Sequence, residues 1–159
     1  MSEIISLLED IHSAAPATSL LGAEGERLAK EFLEKSGYRI ALANFKTPVG
    51  RNRRGALVSG EIDLIAYETD VLCFIEVKTR SSDEFSSPVA AVDLRKQRQI
   101  IRTARMYRRI FHLDRVNFRY DAVAVVLDNR QPAQIELFRN FFGEDKFLKK
   151  SAWTYKSEK

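Results

Sequence analysis

The stretch GEIDLIAYETDVLCFIEVKT (residues 60–79) decides the fold of this chain. It holds two runs rich in β-branched and aromatic residues on either side of a short polar segment, a pattern that predicts a β-hairpin. Residues two apart on a strand share a face, so pairing of Glu68 with Val71 places Asp63 opposite Glu76. Any register shifted by two residues keeps both acids on one face.

Two acids opposed on a sheet face repel each other, and this repulsion calls for compensation. The β-carbons of directly opposed side chains lie roughly 5 Å apart. At an effective dielectric of about 20 the repulsion costs about 3 kcal/mol, which is large beside a small domain's net stability of about 5 to 15 kcal/mol. Hard cations bind to one or two carboxylates, to waters and to a substrate phosphate. Asp63 and Glu76 are therefore candidate ligands for Mg²⁺ or Mn²⁺.

Lys78 lies two residues beyond Glu76, on the same strand face. We expect its ammonium to hold the attacking water or a phosphate oxygen and to stabilise developing negative charge. The alternative is a solvated hairpin face with an ordinary ion pair between Glu61 and Lys78. The spacing of these residues leaves both interpretations open.

Composition indicates one globular domain. The chain has 159 residues, of which 30% are charged and 45% hydrophobic, as in ordinary soluble proteins. No apolar run approaches the roughly 18 residues of a membrane-spanning helix. The N-terminus carries Glu3, Glu9 and Asp10 and lacks the basic region of a signal peptide. We therefore expect a cytoplasmic protein without a membrane partner.

The single cysteine, Cys73, excludes an internal disulfide and a thiolate metal cluster. On the strand its side chain lies on the face opposite to that of Glu76, so we expect it to be buried in the core. His12 and His112 are isolated and lack the spacing of a zinc site.

Hydrophobic periodicity predicts the remaining elements. It indicates helices over residues 2–13, 19–35 and 90–111, and strands over residues 38–45, 119–127 and 134–138. Residues 47–59 are expected to form a flexible basic loop, and the serine-rich residues 81–88 a mobile connection.

The third predicted helix carries five arginines at steps of three and four, which form one stripe: Arg95, Arg98, Arg102, Arg105 and Arg109. No acid lies between Leu94 and Leu113, so the stripe has no partner within its own helix. Nucleic-acid phosphates are the expected partner, bound in a salt-dependent and largely sequence-independent way. The predicted basic loop adds Arg51, Arg53 and Arg54 to this surface. The alternatives are a solvated face and a surface for an acidic protein.

The opposite face of this helix should pack on the sheet through Ile100, Ala104, Tyr107 and Phe111, with Ile101 at the margin. Gln97 lies toward that apolar side, where a buried amide needs partners. It either reaches the site or caps a backbone group.

Five motifs together make the chain resemble a family of small bacterial proteins, the YraN type, that look like endonucleases and are distantly similar to archaeal Holliday junction resolvases. The resemblance spans about residues 21–142. The motifs are Gly22-x-x-Gly25-Glu26, residues 60–66, residues 74–80, Val92-Asp93 with Lys96-Gln97, and residues 119–123.

The resemblance implies an α/β fold of the restriction-endonuclease type, in which helices flank a mixed β-sheet. It places the acid, acid and lysine of that superfamily on Asp63, Glu76 and Lys78, and it adds Glu26 as a further acid. Many related nucleases place a Gln and a Tyr four residues apart on the following helix. Here Gln97 is followed at that spacing by Ile101, so this part of the pattern is incomplete.

The expected organisation is an N-terminal extension over residues 1–18, a nuclease-like domain over 19–142 and a basic aromatic tail over 143–159. The tail either stacks on bases or docks on the core. The expected function is metal-dependent hydrolysis of phosphodiester bonds in DNA, including branched or repair-related structures, with Gln97 in the catalytic set. A non-catalytic nucleic-acid-binding module of the same fold is the alternative. The sequence leaves open DNA versus RNA and whether two copies form a homodimer.

Overall fold

A computed structural model of the protein describes residues 17–82 and 92–148, with side chains from residue 20 onward. The predicted helix over residues 2–13, most of the predicted connection over 81–88 and the tail after residue 148 lie outside the described residues.

Two helices and five strands follow one another along the chain. They are α1 (Ala17–Lys35), β1 (Arg39–Arg51), β2 (Leu57–Glu68), β3 (Val71–Ser81), α2 (Leu94–Ile110), β4 (Phe118–Asp128) and β5 (Gln131–Phe142), and a short 3-10 helix spans Asp145–Phe147. The strands form one sheet in the order β1-β2-β3-β4-β5. Strands β3 and β4 are parallel and the other pairs antiparallel. The predicted α/β fold, a mixed sheet flanked by helices, is confirmed.

The helices pack on opposite faces of the sheet. Alternate residues of β3 belong to two separate apolar clusters, one under each helix. Phe74 packs with Ile100, Ala104 and Tyr107 of α2. Its neighbour Ile75 belongs to the cluster under α1, which also holds Ala29, Leu33 and Cys73. Burial raises the pKa of the Cys73 thiol to about 12, as expected for a cysteine that fills the core.

Glycines allow each helix to lie unusually close to the sheet. A β-carbon at Gly25 of α1 would lie 1.8 Å from Oγ1 of Thr79 on β3, and one at Gly60 of β2 would lie 1.9 Å from Oγ1 of Thr103 on α2. Thr103 is fully buried, and its hydroxyl donates to the carbonyl of Gln99. Both close contacts lie beside the segment that carries Asp63 and Glu76.

The expectation of a flexible loop over residues 47–59 is wrong. Strands β1 and β2 continue through this region and pair as far as Arg51 and Leu57. The side chain of Asn52 accepts from the backbone N–H groups of Arg54 and Ala56 and so closes a tight turn. Pro48 is tolerated because β1 is an edge strand.

The face of α2 was largely predicted, with two differences. Ile100, Ala104 and Tyr107 are buried as expected, and Ile101 is buried with them. Phe111 instead follows the last helical residue and is 49% exposed. The helix begins after its N-cap, Asp93, whose carboxylate accepts from the backbone N–H of Lys96.

A buried ionic network occupies the start of β4, within the motif over residues 119–123. The fully buried carboxylate of Asp121 accepts from Nε of Arg119 and from the backbone N–H of Asn140. Arg119 also pairs with Glu68 and donates to Oη of Tyr38. Since its buried polar atoms are hydrogen-bonded to one another, this part of the motif serves the fold.

No helix among the described residues is long and apolar enough to cross a membrane.

Candidate active site

The predicted hairpin forms in the predicted register. Glu68 pairs with Val71, and the β2–β3 pairing runs outward to Leu64 and Ile75. There the backbone ladder stops, one position before Asp63 and Glu76. Instead, the backbone N–H of Val77 donates to Oδ2 of Asp63 at 2.7 Å. The side chain of Asp63 thus replaces a backbone acceptor and holds its carboxylate against β3.

The structure brings Asp63 and Glu76 together as a carboxylate pair in a poorly solvated place. Glu76 is only 5% exposed and Asp63 is half-buried. Burial and then the charge of Asp63 raise the pKa of Glu76 well above its usual range. Burial also raises the pKa of Asp63, against the opposing effects of the Val77 hydrogen bond and the charge of Lys96. Both shifts mean that the fully ionised pair is costly without a further cation.

The oxygen atoms of this pair fit a hard divalent cation. Oε2 of Glu76 is buried and has no hydrogen-bond partner among the described residues. Such an oxygen is destabilising unless a proton or cation binds it. Carboxylate oxygens are the ligands that Mg²⁺ and Mn²⁺ prefer. Within residues 17–82 and 92–148, no group of three or more His, Cys, Asp or Glu is arranged to hold a metal ion. The described residues therefore offer two carboxylates, and water and phosphate would complete the coordination.

Helix α1 carries a third acid, Glu26, which interacts electrostatically with Asp63. Glu26 is half-buried, and its pKa is raised by burial and by the charge of Asp63, while the amide of Asn44 opposes that shift. The neighbouring Gly25 allows α1 to approach β3 closely enough for this interaction.

Lys78 lies on the same face of β3 as Glu76 and is half-exposed. No carboxylate of a described residue lies within ion-pair distance of its ammonium. Glu61 pairs instead with Lys46 of β1, at 3.3 Å. The Glu61–Lys78 pair that characterised the surface-hairpin alternative is therefore not formed.

Lys96 is the residue of this site that the sequence did not single out. Its Nζ atom lies 3.4 Å from Oε1 of Glu76, and its side chain is 31% exposed. The signal available was its place in the Lys96-Gln97 motif. That signal was weak because Lys96 is one of many basic residues in α2, and helical spacing does not show which of them faces β3.

Gln97 caps a backbone group, one of the two roles expected for it. It is buried, and its Nε2 donates to the carbonyl of Val92 at 3.0 Å. Its Oε1 has no hydrogen-bond partner among the described residues. This contact holds the start of α2, and a catalytic role for Gln97 stays a prediction.

All five arginines of the stripe are exposed. The segment after β5 supplies partners for two of them: Arg105 pairs with Glu144, and the guanidinium of Arg98 lies 5.2 Å from the centre of the Phe147 ring. The absence of acids from α2 itself therefore did not leave the whole stripe unpaired. Phe147 also packs against the core cluster under α2. This part of the tail therefore docks on the core, one of the two arrangements expected for it.

A groove of about 490 Å³ separates α2 from the β1–β2 hairpin, and we call it the hairpin groove. Its apolar wall is formed by Val49 and Val58 of the hairpin. Its polar wall comes from α2 and its N-cap: Asp93, Arg95, Lys96, Arg98, Gln99 and Arg102.

The turn of the same hairpin carries Arg51, Arg53 and Arg54, all exposed. The guanidinium of Arg51 donates to the carbonyl of Gly55 at 2.6 Å, which rigidifies the turn. These three arginines therefore lie on an ordered projection rather than on a flexible loop.

Comparison with known proteins places the chain in a family. The family model described as "Uncharacterised protein family UPF0102" matches residues 25–125, which include the carboxylate pair, Lys78 and Lys96. A solved structure, "Crystal structure of SSO0001", also aligns, with a TM-score of 0.37 and 16% identity over 91% of this chain and 62% of that chain. That level of similarity does not bear on the fold.

Two bacterial relatives match over most of their length. A UPF0102 protein of Chlorobium limicola is 41% identical over 118 residues, which are 74% of this chain and 84% of the relative. One of Alkaliphilus metalliredigens is 35% identical over 122 residues, 77% of this chain and 96% of the relative. The family expected from the five motifs is thereby confirmed, and the chain belongs to the UPF0102 family.

Proposed function

We propose that this protein is a divalent-metal-dependent endonuclease that hydrolyses phosphodiester bonds in DNA. The observation that carries the proposal is the buried pair of Asp63 and Glu76, in which Oε2 of Glu76 has no hydrogen-bond partner among the described residues. An acid pair of this kind lowers the stability of a sheet, and such sites are typical of function rather than of folding.

Asp63 and Glu76 would hold Mg²⁺ or Mn²⁺. A bound divalent cation stabilises charge on a phosphoryl oxygen and supplies a nucleophilic water at neutral pH. Lys78 orients that water or a phosphate oxygen and stabilises the negative charge that develops. Glu26 assists by adding negative charge beside Asp63. Val77 fixes the Asp63 carboxylate through its backbone N–H.

The basic surface is proposed to bind the nucleic-acid backbone. Three arginines of the α2 stripe, Arg95, Arg98 and Arg102, line the hairpin groove, and Lys96 lies where this groove meets the carboxylate pair. The arginines of the hairpin turn add positive charge to the same hairpin. Contacts of this type recognise phosphate and carry no direct sequence information. We therefore propose a substrate chosen by the structure of the DNA rather than by its sequence.

A non-catalytic nucleic-acid-binding module is the second candidate. It is favoured by the arrangement of only two carboxylates, since no group of three metal-binding side chains is present in the described parts of the chain. This candidate predicts DNA binding by the arginine stripe without metal-dependent turnover.

The two candidates are separated by a cleavage assay. The protein is incubated with labelled duplex, branched and single-stranded DNA in the presence of Mg²⁺, Mn²⁺ or a chelator. The proposal predicts cleavage of at least one substrate that requires the metal. The matched control is Glu76→Gln, which keeps the size of the side chain and removes a ligand. Cleavage that persists in this variant or in chelator, or no cleavage by the parent protein, would count against the proposal.

A further inference from the structure

Lys96 contacts Glu76 and also lines the hairpin groove. Its Nζ lies 3.4 Å from Oε1 of Glu76, a carboxylate that is 5% exposed, while the lysine side chain is 31% exposed. The groove is also lined by three arginines of α2, all of them exposed: Arg95, Arg98 and Arg102. Lys96 is thus positioned between the buried acids and the surface proposed to bind phosphate.

The backbone of Lys96 is held firmly, whereas its side chain has room to turn. Its backbone N–H donates to Oδ1 of Asp93 at 2.8 Å, and the next residue, Gln97, is anchored to the carbonyl of Val92. The side chain ends in a flexible four-carbon stem with a single ammonium, which moves readily between partners. The groove beside it has a volume of about 490 Å³.

We propose that Lys96 is a positioning residue that exchanges partners when a divalent cation binds. Without metal, its ammonium neutralises part of the negative charge of Asp63 and Glu76. When a divalent cation is bound by that pair, the ammonium is repelled and turns into the hairpin groove, where it contacts a backbone phosphate. This inference rests on the proposed metal site and adds a link between metal binding and nucleic-acid binding.

Two physical effects support this proposal: the ammonium of Lys96 competes with the divalent cation for the carboxylates, and metal binding is thereby coupled to nucleic-acid binding. An ammonium and a divalent cation beside the same two carboxylates repel each other strongly in a poorly solvated place. Release of Lys96 toward the groove then adds a positive charge where phosphate binds. By thermodynamic reciprocity, metal binding tightens nucleic-acid binding and nucleic acid tightens metal binding.

The experiment measures Mn²⁺ affinity by calorimetry in the absence of nucleic acid. The variants are Lys96→Met and Lys96→Gln, which remove the competing charge, and Lys96→Arg, which keeps it. Lys30→Met is the matched control, because Lys30 is an exposed lysine on α1. We expect both neutral variants to bind Mn²⁺ about fivefold more tightly than the parent, and the other two variants to remain near the parent. A merely structural role for Lys96 would not tighten Mn²⁺ binding.

A second measurement follows the link to nucleic acid. Binding of a short fluorescein-labelled DNA duplex is measured with and without Mn²⁺, in a Lys78→Ala background to prevent cleavage. The gain in DNA affinity on adding Mn²⁺ should be smaller with Lys96→Met than with Lys30→Met. Unchanged or weaker Mn²⁺ binding by both neutral variants would overturn the role of Lys96 and leave the nuclease proposal standing. Absence of Mn²⁺ binding by the parent protein would overturn both.

Discussion

Glu76 is a buried carboxylate in an environment that disfavours its charge. It is among the most buried charged residues described, it lies beside Asp63, and its Oε2 atom has no described hydrogen-bond partner. An apolar residue at this position of β3 would pack at a lower cost in free energy. This cost is the reason that a cation site is proposed at Glu76.

The pH dependence of stability follows from the raised pKa of Glu76. Because this pKa is higher in the folded protein than in the unfolded chain, the folded state is favoured at low pH and loses that advantage as the pH rises toward the folded value. We expect the melting temperature of the metal-free protein to fall between about pH 5 and about pH 8. The fall should be smaller in Glu76→Gln, measured in chelator. Parallel profiles for the two proteins would show that Glu76 is not the group responsible.

Lys78 is expected to act after the metal is bound. Its ammonium has no carboxylate partner among the described residues, so Lys78→Ala should leave the fold and Mn²⁺ affinity close to those of the parent. Cleavage should fall by about 10²-fold or more, because a donor to developing negative charge is lost. Calorimetry and the cleavage assay, run on the same samples, measure the two quantities. A variant that still cleaves at the parental rate would remove Lys78 from the mechanism.

At the scale of elements, the approach of α1 to β3 depends on Gly25. A β-carbon there would overlap the short, branched side chain of Thr79. Gly25→Ala should therefore cost about 1 to 3 kcal/mol and lower the melting temperature by about 3 to 10 °C.

Gly22 provides the matched control on the same helix. Apart from the adjoining backbone of α1, no atom of the described residues lies within 4 Å of a β-carbon built there, so Gly22→Ala should raise the melting temperature slightly by favouring the helix. If both substitutions shift the melting temperature equally, the close contact of α1 with β3 is not as described.

Helix α2 should contribute phosphate contacts through its exposed stripe. Arg98→Glu combined with Arg102→Glu should weaken DNA binding and reduce the steepness of its salt dependence by about two phosphate equivalents. Folding should be preserved because both side chains are exposed. Lys30→Glu combined with Arg130→Glu makes the same change in net charge at exposed positions outside α2. Equal weakening by the two double variants would indicate a general effect of charge rather than a binding surface.

Local patterns were sufficient to predict most elements of the described fold. The β2–β3 hairpin followed from two alternating runs around a polar turn, and its register was confirmed to Leu64 and Ile75. Strands β1 and β5 proved longer than predicted, because pairing with a neighbouring strand extended segments whose own residues indicated a loop. The added pairs of β1, such as Arg51 with Leu57, lie beside a hairpin turn, and the composition of the segment alone did not reveal them.

At the scale of the whole molecule, the site was only partly predictable. Alternation along β2 and β3 identified Asp63, Glu76 and Lys78, and the resemblance added Glu26. Lys96 was missed because its contact with Glu76 depends on how α2 lies across the sheet. The pairing of Glu61 with Lys46 likewise depends on the register between β1 and β2. Contacts between elements distant in the chain leave no periodic signal in the sequence.

Asp63 and Glu76 lie on neighbouring strands, β2 and β3, in the part of the sheet that both helices approach. One helix lies on each face of the sheet: the charge of Asp63 acts on Glu26 of α1, and Lys96 of α2 pairs with Glu76. The ionic network of Arg119 and Asp121 lies in register with Cys73 and Ile75 of β3, residues that pack in the cluster under α1. Stability and the proposed function thus depend on different charged groups.

The most direct test of the central claim compares thermal melts of the parent protein and Asp63→Asn, each in chelator and in millimolar Mg²⁺ or Mn²⁺. A ligand that binds only the native state raises its melting temperature by mass action. We predict a metal-dependent rise for the parent and none for the variant, which should nevertheless melt higher than the parent in chelator because one of two opposed charges is gone. A parent protein that shows no metal-dependent shift, together with a variant that melts no higher in chelator, would contradict the assignment of Asp63 and Glu76 as a metal site.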